Sequence, residues 1–241
     1  MMRLDQALVV AGVADSRSRA QALIGAGVVR IDGDPAKKPA QKVGPDVVLS
    51  LTENPNPFVS RAALKLNFAL REFNLSPKGA IALDVGASTG GFTEVLLNAG
   101  VARVYALDVG HGQLHPRIEN DPKVVNLEGI NAKGIPDELL PPLDWIVTDV
   151  SFISLTKAMP RPLSLARSGA IFVGLIKPQF EVGRGKIGKG GIVRDAIAHE
   201  ATREHIGDFL GASGWQVTHS ADSPILGGDG NKEFLIAAQK L

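Results

Sequence analysis

Apolar residues fall in short runs broken by glycine, proline and charged positions. Seven runs have the continuity of buried strands: Ala80–Val85, Val104–Leu107, Val124–Leu127, Trp145–Thr148, Ala170–Ile176, Trp215–His219 and Phe234–Ala238. Between most of them apolar residues recur at helical spacing, as Phe92, Val95, Leu96 and Ala99 do, and as in the stretch from Ile197 to Leu210. Strands alternating with helices predict an α/β domain on a mainly parallel sheet. The last two runs break the alternation. They are joined by Gly227-Gly-Asp-Gly-Asn231 with no helix between them, which predicts a hairpin and an antiparallel final strand.

Residues 1–51 carry a different pattern. Leu4, Leu8 and Val9 predict a short helix ending near Gly12. Ser16-Arg-Ser-Arg19 opens a second, with Ala20, Leu23 and Ile24 on its apolar face and Gly27 as its stop. Val28–Ile31 and Val47–Leu51 predict strands, and Asp32-Gly33 a hairpin turn. Thr52-Glu-Asn-Pro-Asn-Pro57 stops helix and strand alike, so residues 52–59 read as a linker. A helix follows, with Ser60 as its N-cap and Leu64, Phe68 and Phe73 on its apolar side. The expected organisation is a small α+β domain over 1–51 and a larger α/β domain over 60–241.

The chain has 241 residues, 44% hydrophobic and 21% charged, which are globular values. A net charge of +1 makes any nucleic-acid contact a local patch rather than a global field. The absence of cysteine excludes disulfides, thiolate metal sites and cysteine nucleophiles, and fits a reducing compartment. No apolar run approaches the ~18 residues of a membrane helix, and Arg3 and Asp5 sit where a secretory leader would be apolar. The expected location is the cytoplasm. The histidines at 111, 115, 199, 205 and 219 show no metal spacing, so no metal is expected.

The chemistry centres on the first strand. Ala80–Val85 carries Asp84 near its end and runs into Gly86-Ala87-Ser88-Thr-Gly90-Gly91, with Phe92 opening a helix. Strand, glycine turn and helix N-terminus form the ligand site of a doubly wound fold. A dinucleotide fingerprint needs glycine where Ser88 stands, so backbone approach to a pyrophosphate is disfavoured. S-adenosylmethionine has a ribose but no pyrophosphate. Asp84 can face its ammonium, the glycine-turn N–H groups its carboxylate, and Asp108, beside Val109 at the end of the next strand, its ribose hydroxyls. Asn131 lies just beyond the third strand.

Strand ends then gather four charged residues. Asp149 follows Trp145–Thr148, Lys177 follows Ala170–Ile176, and Glu233 begins the antiparallel strand from the same rim; Lys65 can reach that rim from the entry helix. This Lys-Asp-Lys-Glu order resembles the tetrad of FtsJ-like RNA 2′-O-methyltransferases. In the first domain, Arg3-Leu-Asp-x-x-Leu8, Ser16-Arg-Ser-x-Ala20, Ile24-x-x-Gly27-x-Val29 and Lys38-Pro39 resemble the small RNA-binding module named after ribosomal protein S-four. Together they make the whole chain similar to the TlyA family, ribosomal-RNA methyltransferases also called haemolysin A. The resemblance implies a Rossmann-like methyltransferase sheet behind an RNA-binding domain, S-adenosylmethionine as cofactor, and ribosomal RNA or ribosomal subunits as partners. It places Arg3, Arg17, Arg19, Lys37 and Lys38 on RNA, and implies an adenine contact at the end of the third strand, where Asn131 is the candidate. In the tetrad, Lys177 would stabilise a developing 2′-alkoxide or accept its proton, with Asp149 and Glu233 orienting both lysines.

Gly183-Arg-Gly-Lys-Ile-Gly-Lys-Gly-Gly191 follows Lys177 closely and reads either as a substrate loop or as plain surface. A non-catalytic RNA-binding protein on the same fold is the alternative function, and the intact tetrad argues against it. A pore-forming haemolysin needs a membrane-spanning or strongly amphipathic segment that the sequence does not offer.

Overall fold

The computed structural model describes residues 1–14, 16–52, 58–183, 185 and 187–241. The chain divides into two compact units, Met1–Pro57 and Phe58–Leu241.

The first unit runs β1 (Met2–Arg3), α1 (Leu4–Val10), α2 (Arg17–Gly25), β2 (Val29–Ile31), β3 (Asp34–Pro35), β4 (Lys42–Val43) and β5 (Leu49–Leu51). Both helices bury the faces their spacing predicts: Leu4 and Leu8 pack with Ala20, Leu23 and Ile24 over Val29 and Val43. Ser16 caps α2 by accepting from the Arg19 N–H at 3.2 Å. Asp32 and Gly33 turn β2 into β3 at φ 51° and 93°. The pairing of β1 with β4 lay outside the sequence reading. Met2 opposes Val43 and Arg3 opposes Lys42, so the 38–41 loop is pinned to the start of α1 by Leu4 N–H to Gln41 O and Asp5 N–H to Pro39 O.

The second unit runs α3 (Ala63–Glu72), β6 (Ile81–Val85), α4 (Gly91–Asn98), β7 (Arg103–Asp108), α5 (Pro116–Glu119), β8 (Val124–Glu128), β9 (Leu143–Thr148), α6 (Leu155–Ala158), α7 (Pro160–Ser164), β10 (Ala166–Ile176), α8 (Pro178–Glu181), α9 (Ala196–Ala212), β11 (Trp215–Asp222) and β12 (Phe234–Lys240). The strands form one sheet in the order β11-β12-β10-β9-β6-β7-β8. From β6 to β10 every pairing is parallel. β12 is antiparallel to both β10 and β11, as the helix-free hairpin predicts. The chain steps outward from β6 to β7 and β8, then returns to lay β9 on the other side of β6. That reversal opens a crevice at the carboxyl ends of β6, β7 and β9.

Alternation along the strands divides the core. Leu83, Val85, Ile146 and Phe172 point to one face; Ala82, Trp145, Val147, Val173, Leu175, Leu235 and Ala237 point to the other, where α3 and α4 cover them. α3 departs from the predicted orientation. Its buried stripe is Ala63, Leu66, Ala69 and Leu70, with Phe73 just beyond, while Leu64 and Phe68 are half-buried. Ala62, not Ser60, takes the N-cap place, and the Ser60 hydroxyl instead accepts from the Ala62 N–H at 3.2 Å. The cause is a close approach to α4. A Cβ on Gly91 would lie 2.8 Å from Ser60 Cβ, and Glu94 accepts the Val59 N–H at 2.7 Å.

Candidate active site

Register brings the charged residues together. Gly174 opposes Thr148, and Ile176 opposes Phe234, so Asp149, Lys177 and Glu233 emerge side by side where β9, β10 and β12 meet. Each continues the alternation of Val147, Leu175 and Leu235, which aims it at the α3 face of the sheet. Lys65 meets them there from the buried stripe of α3. Glu233 Oε2 lies 2.7 Å from Lys65 Nζ; Lys65 Nζ lies 3.6 Å from Asp149 Oδ2; Asp149 Oδ1 lies 2.6 Å from Lys177 Nζ. Lys177 Nζ also donates to Ser151 Oγ at 2.7 Å and to the Asp149 carbonyl at 3.2 Å. The four side chains are between 3% and 12% exposed. Two ammonium groups and two carboxylates balance in charge. A nearly buried ion chain adds little to stability over apolar packing, so function is the better reason for it. Gly227 accommodates it: a Cβ there would lie 2.5 Å from Glu233 Oε1.

The crevice beside this chain is a cavity of about 540 Å³, lined among others by Gly86, Ser88, Asp108, Val109, Asn131 and Asp149. A smaller one of about 160 Å³ adjoins it, bounded by Ser60, Gly91, Phe92, Ser151 and Lys177. Asp84 is wholly buried behind the turn. Its Oδ2 accepts from Thr93 Oγ1 at 2.8 Å, while Oδ1 has no hydrogen-bond partner among the described residues. Burial pushes its carboxyl up to about 7; Thr93 pulls against this, and the nearby Asp149 and Asp108 charges add to it. A buried, half-satisfied carboxyl next to a cavity suits a cationic amine.

The turn differs from expectation in how its N–H groups are spent. Gly86 and Ala87 both donate to Leu107 O, Ser88 donates to Asp108 Oδ2 at 2.9 Å, and Gly90 donates to Ala87 O. The reason is that the turn from β6 into α4 is tied to the end of β7, and those donors hold Ser88 at φ 47° and Gly86 at φ 82°. An incoming carboxylate is left the first-turn N–H groups of α4, at Gly91 and Phe92. The Phe92 ring itself is core, and Ala87 is buried. Asp108 also takes the Gly110 N–H at 2.8 Å, so it organises two turns, and it lines the cavity. Asn131 caps a short 3-10 turn through Lys133 N–H and is exposed at the cavity wall.

Two residues escaped the sequence reading. Glu128, ending β8, accepts the N–H groups of Gly112, Gln113 and Leu114 at 2.8, 2.6 and 3.1 Å, which fixes the loop carrying Gln113 to the cavity. The Gln113 N–H, with those of Leu114 and Gly112, brings its carboxyl down to about 2. Its signal was position: it ends a parallel strand, as Asp108 does. Phe152 is 91% exposed, lines the cavity, and adopts φ 65°, a conformation an aromatic residue rarely holds. Its ring leans on Phe180 with centroids 5.2 Å apart. Nothing in the sequence announces a positive φ at a phenylalanine.

In the first unit, Arg3 and Arg17 both contact Asp5, Arg19 is half-buried two residues further along α2, and Lys37 and Lys38 are exposed. Arg184 and Lys186 of the glycine-rich loop lie outside the described residues; Lys189 is exposed. No group of three or more His, Cys, Asp or Glu able to hold a metal occurs among the described residues. No helix among them is long and apolar enough to cross a membrane.

A mainly parallel seven-stranded sheet with an inserted antiparallel strand, a glycine turn and a crevice at the switch point define a methyltransferase fold. Residues 58–240 match the FtsJ-like methyltransferase family, and residues 2–49 match the S4 domain. The chain belongs to the TlyA family of FtsJ-like methyltransferases. It is 45% identical over 236 residues to the 16S/23S rRNA (cytidine-2′-O)-methyltransferase TlyA of Mycobacterium tuberculosis, covering 97% of this chain and 88% of that one. It is 42% identical to Hemolysin A of Brachyspira hyodysenteriae, covering 97% and 98%. The solved structure of a candidate hemolysin from Streptococcus thermophilus superposes with a TM-score of 0.79 at 38% identity, covering 99% of this chain and 88% of that one.

Proposed function

We propose that this protein transfers a methyl group from S-adenosylmethionine to the ribose 2′-hydroxyl of a cytidine in ribosomal RNA. The observation that carries the reading is the Glu233–Lys65–Asp149–Lys177 ion chain at the mouth of the two cavities. Curated relatives that act on rRNA cytidines support the choice of substrate.

Asp84 Oδ1 would take the cofactor's ammonium, the α4 N-terminus its carboxylate, Asp108 its ribose hydroxyls, and Asn131 and Val109 would border its adenine. When bound, S-adenosylmethionine supplies an electrophilic methyl group on a sulfonium. The protein's own task is the nucleophile. A ribose hydroxyl is a weak one, and it gains negative charge as its proton departs. Lys177 either stabilises that oxygen as a cation while the proton passes to water, or takes the proton itself as a neutral amine, with Asp149 holding its nitrogen in place in both cases. Ser151 is the exposed partner of Lys177, so a substrate hydroxyl can replace it without breaking the ion chain. Lys65 and Glu233 brace Asp149 from behind. Phe152 offers a flat apolar face beside the reacting centre, and single-stranded bases stack on such rings. Arg3, Arg17, Arg19, Lys37 and Lys38 would hold RNA phosphates.

The test is transfer of radiolabelled methyl groups to purified ribosomal subunits and to free ribosomal RNA, with the product mapped by ribose-methylation analysis. Label on a cytidine 2′-oxygen supports the reading. Cofactor binding without transfer to either substrate, under conditions where RNA is bound, favours the non-catalytic alternative.

A further inference from the structure

Asp5 is 0% exposed, and it anchors three side chains. Arg3 grips it as a fork, Nε on Oδ1 at 3.0 Å and Nη2 on Oδ2 at 2.9 Å. Arg17 Nη2 reaches the same Oδ2 from α2 at 3.1 Å, and Gln21 Nε2 joins at 3.0 Å. Arg3 first, then Gln21, hold the Asp5 carboxyl well below the usual carboxylate range, so the anchor stays ionised. Sharing one acceptor atom keeps the two guanidinium groups next to each other. Both remain accessible, with side chains 35% and 53% exposed. Each still has N–H donors that Asp5 does not use, since a guanidinium carries five. A nucleic-acid phosphate presents two non-bridging oxygens and suits planar, paired donors.

We infer that Asp5 is a positioning residue that presets Arg3 and Arg17 as a paired clamp for one backbone phosphate of the RNA. The inference rests on the RNA-binding reading of the first unit. Free arginine side chains lose rotamer freedom on binding, and a buried carboxylate that orders them beforehand removes that cost. The idea opposes simple electrostatics. A negative charge beside an RNA site repels phosphate, so by charge alone its removal should tighten binding.

The experiment measures binding of a fluorescein-labelled ribosomal-RNA hairpin to the full-length protein across a potassium chloride series. It compares the parent, Asp5→Asn, Arg3→Ala with Arg17→Ala, and the triple variant. Asp5→Asn is expected to weaken binding about tenfold despite its gain in positive charge. The loss should vanish when the two arginines are already absent. Binding by Asp5→Asn as tight as the parent's, or tighter, overturns the inference. So does a loss that persists undiminished without the arginines, which marks Asp5 as structural only. If the arginine pair variant keeps parental affinity and salt slope, the RNA reading of this unit fails and takes the inference with it. Arg17→Lys guards against misfolding, because Arg17 is exposed and its charge is kept. It should weaken binding nearly as much as Arg17→Ala, and parental affinity there counts against the paired clamp.

Discussion

Thr93 satisfies only one side of Asp84: its hydroxyl donates to Oδ2 at 2.8 Å, and the buried Oδ1 has no hydrogen-bond partner among the described residues. The pair links the first turn of α4 to the end of β6 and leaves one buried carboxyl oxygen unsatisfied.

A pH dependence follows. The folded-state carboxyl of Asp84 lies at about 7, against about 3.9 in an unfolded chain. Between those values the folded protein keeps a proton that the unfolded chain has lost. The stability of the cofactor-free protein therefore falls as pH rises through that window. Cofactor binding should run the other way, because an ammonium favours the ionised carboxylate. From pH 6 to 7.5 the affinity for S-adenosylmethionine is expected to rise roughly eightfold. Asp84→Asn should flatten that rise. Calorimetry giving equal affinity at both pH values would remove Asp84 from the ammonium site.

Asp108→Ala tests the turn as well as the ribose contact. The carboxylate takes the N–H groups of Ser88 and Gly110, at 2.9 and 2.8 Å, so its loss frees two turns along with the ribose hydroxyls. Hydrogen bonds to a charged group contribute ~1.5–3 kcal/mol each, which makes a loss of at least about tenfold in cofactor affinity the expectation. The melting temperature of the ligand-free protein should drop as well, because Ser88 is held at φ 47° partly by that bond. Unchanged affinity would be incompatible with the site drawn here.

The sequence exposes the strand scaffold because buried parallel strands are continuous apolar runs, and the helix-free hairpin identifies β12 as antiparallel. Both are local signals. The tetrad is legible as an order of residues at strand ends, but its geometry is not. Only the register of Ile176 against Phe234, and the shared alternation with Val147, Leu175 and Leu235, shows why three strand ends aim at α3. The orientation of α3 is hidden in the sequence because Lys65, a charged residue, occupies the buried stripe. The anchoring role of Asp5 is not legible in the sequence, since its partners Arg17 and Gln21 lie 12 and 16 residues further along the chain. The turn's N–H groups look free in sequence because their acceptors, Leu107 O and Asp108, belong to another strand.

Phe152→Gly should separate stability from activity. Phenylalanine at φ 65° carries strain of ~1–3 kcal/mol, and glycine adopts that conformation freely. With the side chain 91% exposed, little burial is lost in exchange. The glycine variant is expected to melt a few degrees higher while methylating RNA more slowly, and Phe152→Ala should lose the activity without the gain. A glycine variant as active as the parent would show that the ring has no part in the reaction.

Lys177→Ala is the most direct test of the site. Lys177 ends β10 and precedes Pro178, so the chain turns at the rim with the ammonium 2.6 Å from Asp149 Oδ1 and 2.7 Å from Ser151 Oγ. None of these contacts involves Asp84, Asp108 or the α4 N-terminus, so cofactor affinity should survive the substitution. If Lys177 acts on the 2′-oxygen only as negative charge develops there, its removal lowers the rate and not ground-state binding. Positioned acid–base and electrostatic groups contribute ~10²–10⁴-fold, and a loss in that range is expected in single-turnover methylation of ribosomal subunits. Asp149 would then face only Lys65, at 3.6 Å, so Lys177→Met is the better-packed companion variant. A purely structural lysine predicts a lower melting temperature with near-normal turnover per folded molecule. A single-turnover rate within about threefold of the parent, with RNA and cofactor both bound, would falsify the catalytic assignment.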